Sequence, residues 1–204
     1  MGTTIEQIKQ LREATGAGIL DCRKALESNN YNLISALADL KEQMAAKASQ
    51  KNGNATFEGV LEIYSHNNGR VGVMVEVNCE TDFTAKSARF RAFAHEIALH
   101  IAASAPLWVS DANIPGNVLE KEREKVLTRA REEGKAETLL PRIGEGAITK
   151  YMDRTVLLRQ MSFRDETISV AQLLAQTAGI LAENIIIRRF VRWELAEGMP
   201  FAEE

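Results

Sequence analysis

The sequence predicts an α+β fold: a small N-terminal three-helix domain followed by an antiparallel three-stranded sheet covered by helices. Three observations carry this. Residues 1–45 place apolar side chains at helical spacing around a glycine pair. Residues 60–77 then switch to an alternating period about an Asn-Gly turn. Near the C-terminus, Ile185 to Trp193 is a β-branched and aromatic run that supplies a third strand.

The first helix carries Ile5, Ile8 and Leu11, with Thr4 and Gln7 at capping-box spacing. Thr15-Gly16-Ala17-Gly18 stops it, because glycine permits backbone angles that other residues resist. A second short helix runs from about Ile19 to Ser28 and ends at Asn29 and Asn30. Asn32 can cap a third, bearing Leu33, Ala36, Leu37 and Leu40. The polar stretch Lys47 to Asn54 reads as a linker, giving a division into residues 1–45, a linker at 46–56, and a core at 57–204.

In the hairpin, Leu61, Ile63 and Ser65 share one face of the first strand, and Val60, Glu62 and Tyr64 the other. The return strand alternates Val71, Val73, Val75 and Val77 with Gly72, Met74, Glu76 and Asn78, so the valines line the core. A hairpin alone is unstable in water and needs a third strand or a covering helix. Phe90, Phe93, Ala94, Ile97 and Ile101 mark that helix, from near Ser87 to before Pro106. Val118 to Gly134 reads as a charged helix with a narrow stripe of Leu119, Val126, Leu127 and Ala130. Pro141, Gly144 and Gly146 then argue against a long helix, leaving a turn or two over Ala147 to Arg154. Ser169 and Gln172 form another capping-box candidate ahead of Val170, Leu173 and Leu174.

Composition narrows the function. The 204 residues include 25 basic and 28 acidic side chains, a formal net charge of −3, so nothing general draws the chain to nucleic acid. Cys22 and Cys79 belong to no CxxC pair and read as reduced, partly buried thiols. There is no signal run, and no stretch nears the roughly 20 apolar residues of a membrane span. Gly2 lacks the second signal that stable lipid anchoring needs. A cytoplasmic protein with no membrane contact is expected. His95 and His100 are five residues apart, not the i, i+4 of a helical zinc pair. No phosphate-binding glycine loop and no nucleophile-base set is present, so the chain is expected to be no enzyme, with no cofactor, metal or small-molecule substrate.

The unusual local feature is Asn78-Cys79-Glu80-Thr81-Asp82-Phe83, between the valine strand and the long helix. On pattern alone two readings stand. Thr81 or Asp82 caps a short helix and Phe83 folds into the core, or a rigid junction presents Phe83 as an aromatic anchor for a partner. Ile19 and Leu20, beside the glycine turn, form a second apolar contact candidate.

LREATGAGILDCRKAL (11–26) and VEVNCETDFTAK (75–86) together resemble the elongation factor Ts family. So do LEKERE (119–124), EGKAE (133–137), LLRQ (157–160) and ENIIIRRFVRWELAEG (183–198), in order along nearly the whole chain. The resemblance implies a guanine-nucleotide exchange factor that binds elongation factor Tu and promotes GDP release. It implies a ubiquitin-associated-like N-terminal domain, with Arg12, Ile19 and Leu20 at partner contacts. Thr81-Asp82-Phe83 matches the family's TDF motif, whose ring wedges near the partner's magnesium and phosphates. The chain resembles the short form, with a single core repeat and an expected homodimer through a dimerisation-type core. Thr84 stands where the family commonly has an apolar residue, and Pro141 where it continues a short helix, which suggests a later start here. Two alternatives remain: a translation-factor scaffold or holdase without exchange, and RNA binding through Arg188, Arg189 and Arg192, which the mild acidity disfavours.

Overall fold

The turn at residues 15–18 separates the first two helices. In the computed structural model, which describes residues 4–51 and 53–198, α1 (Thr4–Thr15) runs into Gly16 at φ +69, and α2 (Ile19–Ser28) starts behind Gly18. A left-handed φ favours glycine, and the Arg89 guanidinium lies over it, so that a Cβ on Gly16, 1.9 Å away, would push that side chain aside. Asn30 and Tyr31, at φ +50 and +58, turn the chain into α3 (Leu33–Lys51). Asn32 Oδ1 caps α3 by accepting from the Ser35 amide at 3.1 Å. Leu11, Cys22, Leu26, Ala36, Leu40 and Met44 form the buried core of the three helices.

Residues 47–51, expected to belong to the linker, are the last turn of α3. Lys, Ala and Gln are good helix formers, and no glycine or proline interrupts before Gly53. The Thr4–Gln7 capping box rests on a Thr4 side chain outside the described residues, as does Gly2. Gln7 instead donates from Nε2 to the Tyr31 carbonyl at 3.0 Å.

β1 (Glu58–His66) and β2 (Val71–Cys79) form the expected hairpin, and β3 (Ile186–Glu194) lies beside β2, giving an antiparallel sheet of order β1-β2-β3. Asn67, Asn68 and Gly69 all have positive φ in the turn. Val71, Val73, Val75 and Val77 are buried, as the alternation requires. The opposite face of the sheet is open. Leu61, Ile63, Met74, Val191 and Trp193 are all exposed on it.

Beyond the hairpin come α4 (Asp82–Lys86) and α5 (Ala88–Ser104), the latter burying Phe90, Phe93, Ala94, Ile97 and Ile101. α6 (Gly116–Glu132) packs on α7 (Leu140–Thr155). The break expected at Pro141, Gly144 and Gly146 does not occur, and α7 starts earlier than the sequence suggests. Pro141 sits in its first turn, where the missing N–H would have had no helical partner. Gly144 lies against Leu127 of α6. α8 (Val170–Leu181) follows, with Ser169 just before its first residue.

By contacts the described residues divide into two compact units. The first takes in those within 4–60, 77–93 and 172–186, and the second those within 61–76, 94–171 and 187–198. In the first, Ile180 packs on the three-helix core, and a Cβ on Gly179 would lie 2.4 Å from the Met44 carbonyl oxygen.

Candidate partner-binding surface

Arg12, Ile19, Leu20, Thr81, Asp82 and Phe83, the side chains expected at partner contacts, all fall in the first unit. Arg12 and Ile19 line an open groove of about 510 Å³ with Ile5, Ile8, Lys9 and Glu13. Leu20 is not part of that lining but is 71% exposed next to it in sequence. The turn that sets this surface is stiff. Thr15 is buried, its Oγ1 donates to the Leu11 carbonyl at 2.6 Å, and the Ala17 amide donates back to that oxygen at 3.2 Å. The Gly16 amide closes on the Arg12 carbonyl at 2.7 Å. Arg89, near the start of α5, lies over Gly16 and reaches the Thr15 carbonyl at 3.4 Å, tying the turn to the helix that follows the TDF segment.

At that segment, β2 ends and α4 begins within three residues. Thr81 is the N-cap: its Oγ1 accepts from the Thr84 amide at 3.2 Å. Phe83 is not folded into the core. Its side chain is 82% exposed, on the first turn of α4. Asp82 pairs with Lys86 Nζ at 2.6 Å, and this hydrogen bond holds its carboxyl below the usual carboxylate range. Beneath the elbow, Cys79 Sγ donates to the Thr81 carbonyl at 3.2 Å. Burial, helped by the nearby charge of Glu183, pushes this thiol up to about 11, so it stays protonated and a donor at neutral pH.

The elbow has partners that the sequence did not reveal. Glu183, between α8 and β3, accepts from the Glu80 and Thr81 amides at 3.0 and 3.1 Å. It also accepts from Thr81 Oγ1 at 2.6 Å and Thr84 Oγ1 at 2.7 Å. Thr84 is thus a buried donor. In return, Glu80 accepts from the Asn184 amide at 2.6 Å and from Asn54 Nδ2 at 3.0 Å, which holds its carboxyl below the usual range. Glu183 stood inside a matched motif, but nothing in its neighbours marks partners about a hundred residues away.

Elsewhere, side chains that suggested chemistry are engaged in structure. His95 pairs with Glu62 at 2.7 Å and His100 with Gln160 at 2.9 Å, so they do not converge. Arg188 and Arg189 both face Glu76, and Arg192 faces Glu194 and Glu197. Cys22 and Cys79 are buried and in no disulfide. Among the described residues, no group of three His, Cys, Asp or Glu side chains is placed to hold a metal ion, and no helix is long and apolar enough to cross a membrane. What the arrangement offers is contact: a groove of apolar and charged side chains, and an aromatic ring held out on a hydrogen-bonded support.

The chain matches the family model described as "Elongation factor TS" over residues 4–197. It is 43% identical to the elongation factor Ts of Carboxydothermus hydrogenoformans over 201 residues, covering 98% of this chain and 93% of that protein. With the elongation factor Ts of Rubrobacter xylanophilus it shares 47% over 195 residues, covering 96% and 100%. The Geobacter sulfurreducens protein of the same name is 42% identical over 203 residues, covering 100% and 94%.

Proposed function

Because this chain belongs to the elongation factor Ts family, whose members are non-catalytic exchange factors for elongation factor Tu, we propose that it binds elongation factor Tu and hastens GDP release by inserting Phe83. The observation that carries this reading is the exposure of Phe83 on an elbow whose backbone is tied down. A large aromatic on a stiff support loses little conformational entropy on docking, and such residues dominate interface energies.

The need for such a factor follows from rates. A GTPase holding GDP at nanomolar Kd, about −12 kcal/mol, with an association rate near 10⁶ M⁻¹s⁻¹, releases it over roughly ten minutes. A factor that binds the empty partner more tightly than the loaded one shortens this, and by linkage nucleotide expels the factor equally well. The factor is not consumed. On this reading Phe83 displaces the partner groups around the magnesium and phosphates, and Asp82 and Thr81 place it. Arg12, Ile19 and Leu20, in a ubiquitin-associated-like domain of residues 1–45, supply affinity, and the work is cytoplasmic. A homodimer through the core over 57–204 fits the exposed apolar face of the sheet.

The test is release of fluorescent GDP from preloaded elongation factor Tu. Phe83→Ala is expected to lower the saturating release rate by about tenfold or more, in line with truncation of an aromatic hot spot, while the circular dichroism of the protein is unchanged. Full stimulation by that variant removes the wedge role. Binding without any stimulation by the wild type leaves a translation-factor scaffold.

A further inference from the structure

We propose that Glu183 is a positioning residue for nucleotide exchange: it locks the elbow that carries Phe83, and through it sets the speed of release without setting affinity. The inference rests on the exchange reading above.

A carboxylate offers two oxygens and about four acceptor positions. Four donors converge on Glu183, two amides on Oε2 and two hydroxyls on Oε1, all from residues 80, 81 and 84. Its acceptor capacity is therefore spent on the few residues that bracket Phe83. The reverse direction is filled as well. Glu80 takes the Asn184 amide, and Asn184 Nδ2 donates to the Asn54 carbonyl at 2.8 Å. Each segment's carboxylate holds the other segment's backbone, a clasp closed from both sides.

The other restraints on the elbow are local: the Thr81 cap, the Cys79 thiol on the Thr81 carbonyl, and the buried Thr84 and Ala85; only the clasp ties it to a distant segment. Thr81, Asp82 and Phe83 are all exposed, so apolar burial does not hold them. Helix α4 has five residues, too few for a helix to persist by itself. A ring on a loose arm must be ordered during insertion, at an entropic cost that falls on the step where it displaces the partner's groups. A ring on a clasped arm has been ordered in advance. None of the clasp residues lines the groove of Arg12 and Ile19, so the contacts of that groove survive its loss.

Glu183→Gln keeps the shape but places an NH₂ where donors point, so part of the clasp opens. Two measurements decide. In the isolated protein, amide hydrogen exchange at Glu80, Thr81 and Thr84 is expected to rise roughly tenfold, the worth of about one lost hydrogen bond, with Val73 and Val75 unchanged. In the release assay, the saturating rate is expected to fall roughly tenfold on the same basis, while the half-saturating concentration moves less than about twofold. Added to Phe83→Ala, the substitution is expected to cause little further loss, because both act through one ring. A purely structural role predicts losses that multiply. The proposal is overturned by an unchanged saturating rate in Glu183→Gln where Phe83→Ala lowers it, by multiplying losses, or by unaltered exchange at those three amides. Should Glu183→Gln not fold, Glu183→Asp keeps the charge but withdraws the oxygens by one methylene; an intermediate rate is expected, and a wild-type rate overturns the proposal. Wild-type protein without effect on release removes the exchange reading instead, and the amide measurement then decides the clasp alone.

Discussion

His100 shows how one buried side chain sets a pH limit. It is 2% exposed, with Nε2 2.9 Å from Gln160 Oε1. Gln160 donates its own Nε2 to the Arg154 carbonyl, so its oxygen faces the histidine, which must donate from Nε2. Nδ1 has no partner. Burial lowers the pKa below 6.5, outweighing the Gln160 hydrogen bond and the Glu96 charge. The unfolded chain therefore takes the proton more readily than the folded one. Stability is full above the unfolded value, near 6.5, and declines as pH falls below it toward the folded value. Thermal melts from pH 8 to pH 5 are expected to show a flat region, then a decline starting near pH 6.5 that His100→Gln flattens. The carboxyls held low, Glu80, Asp82 and Asp111, lose their contribution only at more acid pH. At this scale the sequence was informative about type and not about partner. It singled out Phe83 but left core and surface open, because the deciding contacts come from Glu183, 102 residues from Thr81.

Among elements, legibility followed how local the signal is. The hairpin was readable because alternation and an Asn-Gly turn are written within about twenty neighbouring residues. Helix α7 was not. Pro141 and two glycines look like breaks when taken alone, yet position in the first turn makes the proline harmless, and packing against α6 carries the rest. The end of α3 was missed for the complementary reason: polar side chains suggested a linker where helix propensity prevailed. The glycines in α7 lead to a stability prediction. Gly146 is exposed in the helix interior, and a Cβ there would meet nothing within 4 Å. Gly146→Ala is expected to stabilise by about 0.5–1 kcal/mol, raising Tm by a few degrees. Calorimetry checks this, and a lowered Tm would contradict the continuous helix.

For the molecule as a whole, order and kinship were legible because the matched segments run along the entire chain, while the face it leaves open was not. Alternation in β1 gave two faces, and the more apolar one, with Leu61 and Ile63, turns out to be bare. Leu61, Met74, Glu76, Arg189 and Val191 line a shallow groove there, and an open apolar sheet face is a surface for association. Sedimentation at micromolar concentration is expected to give a dimer whose Tm rises with concentration, and Ile63→Asp a folded monomer whose Tm does not. A wild-type monomer at those concentrations removes the dimer. The separation of about a hundred positions between the elbow and Glu183 also has a consequence for biosynthesis. At roughly 5–20 residues per second, a ribosome takes on the order of 5–20 s to travel from one to the other. For that interval the nascent chain carries its aromatic tip unbraced, and the brace arrives only once Glu183 has been made.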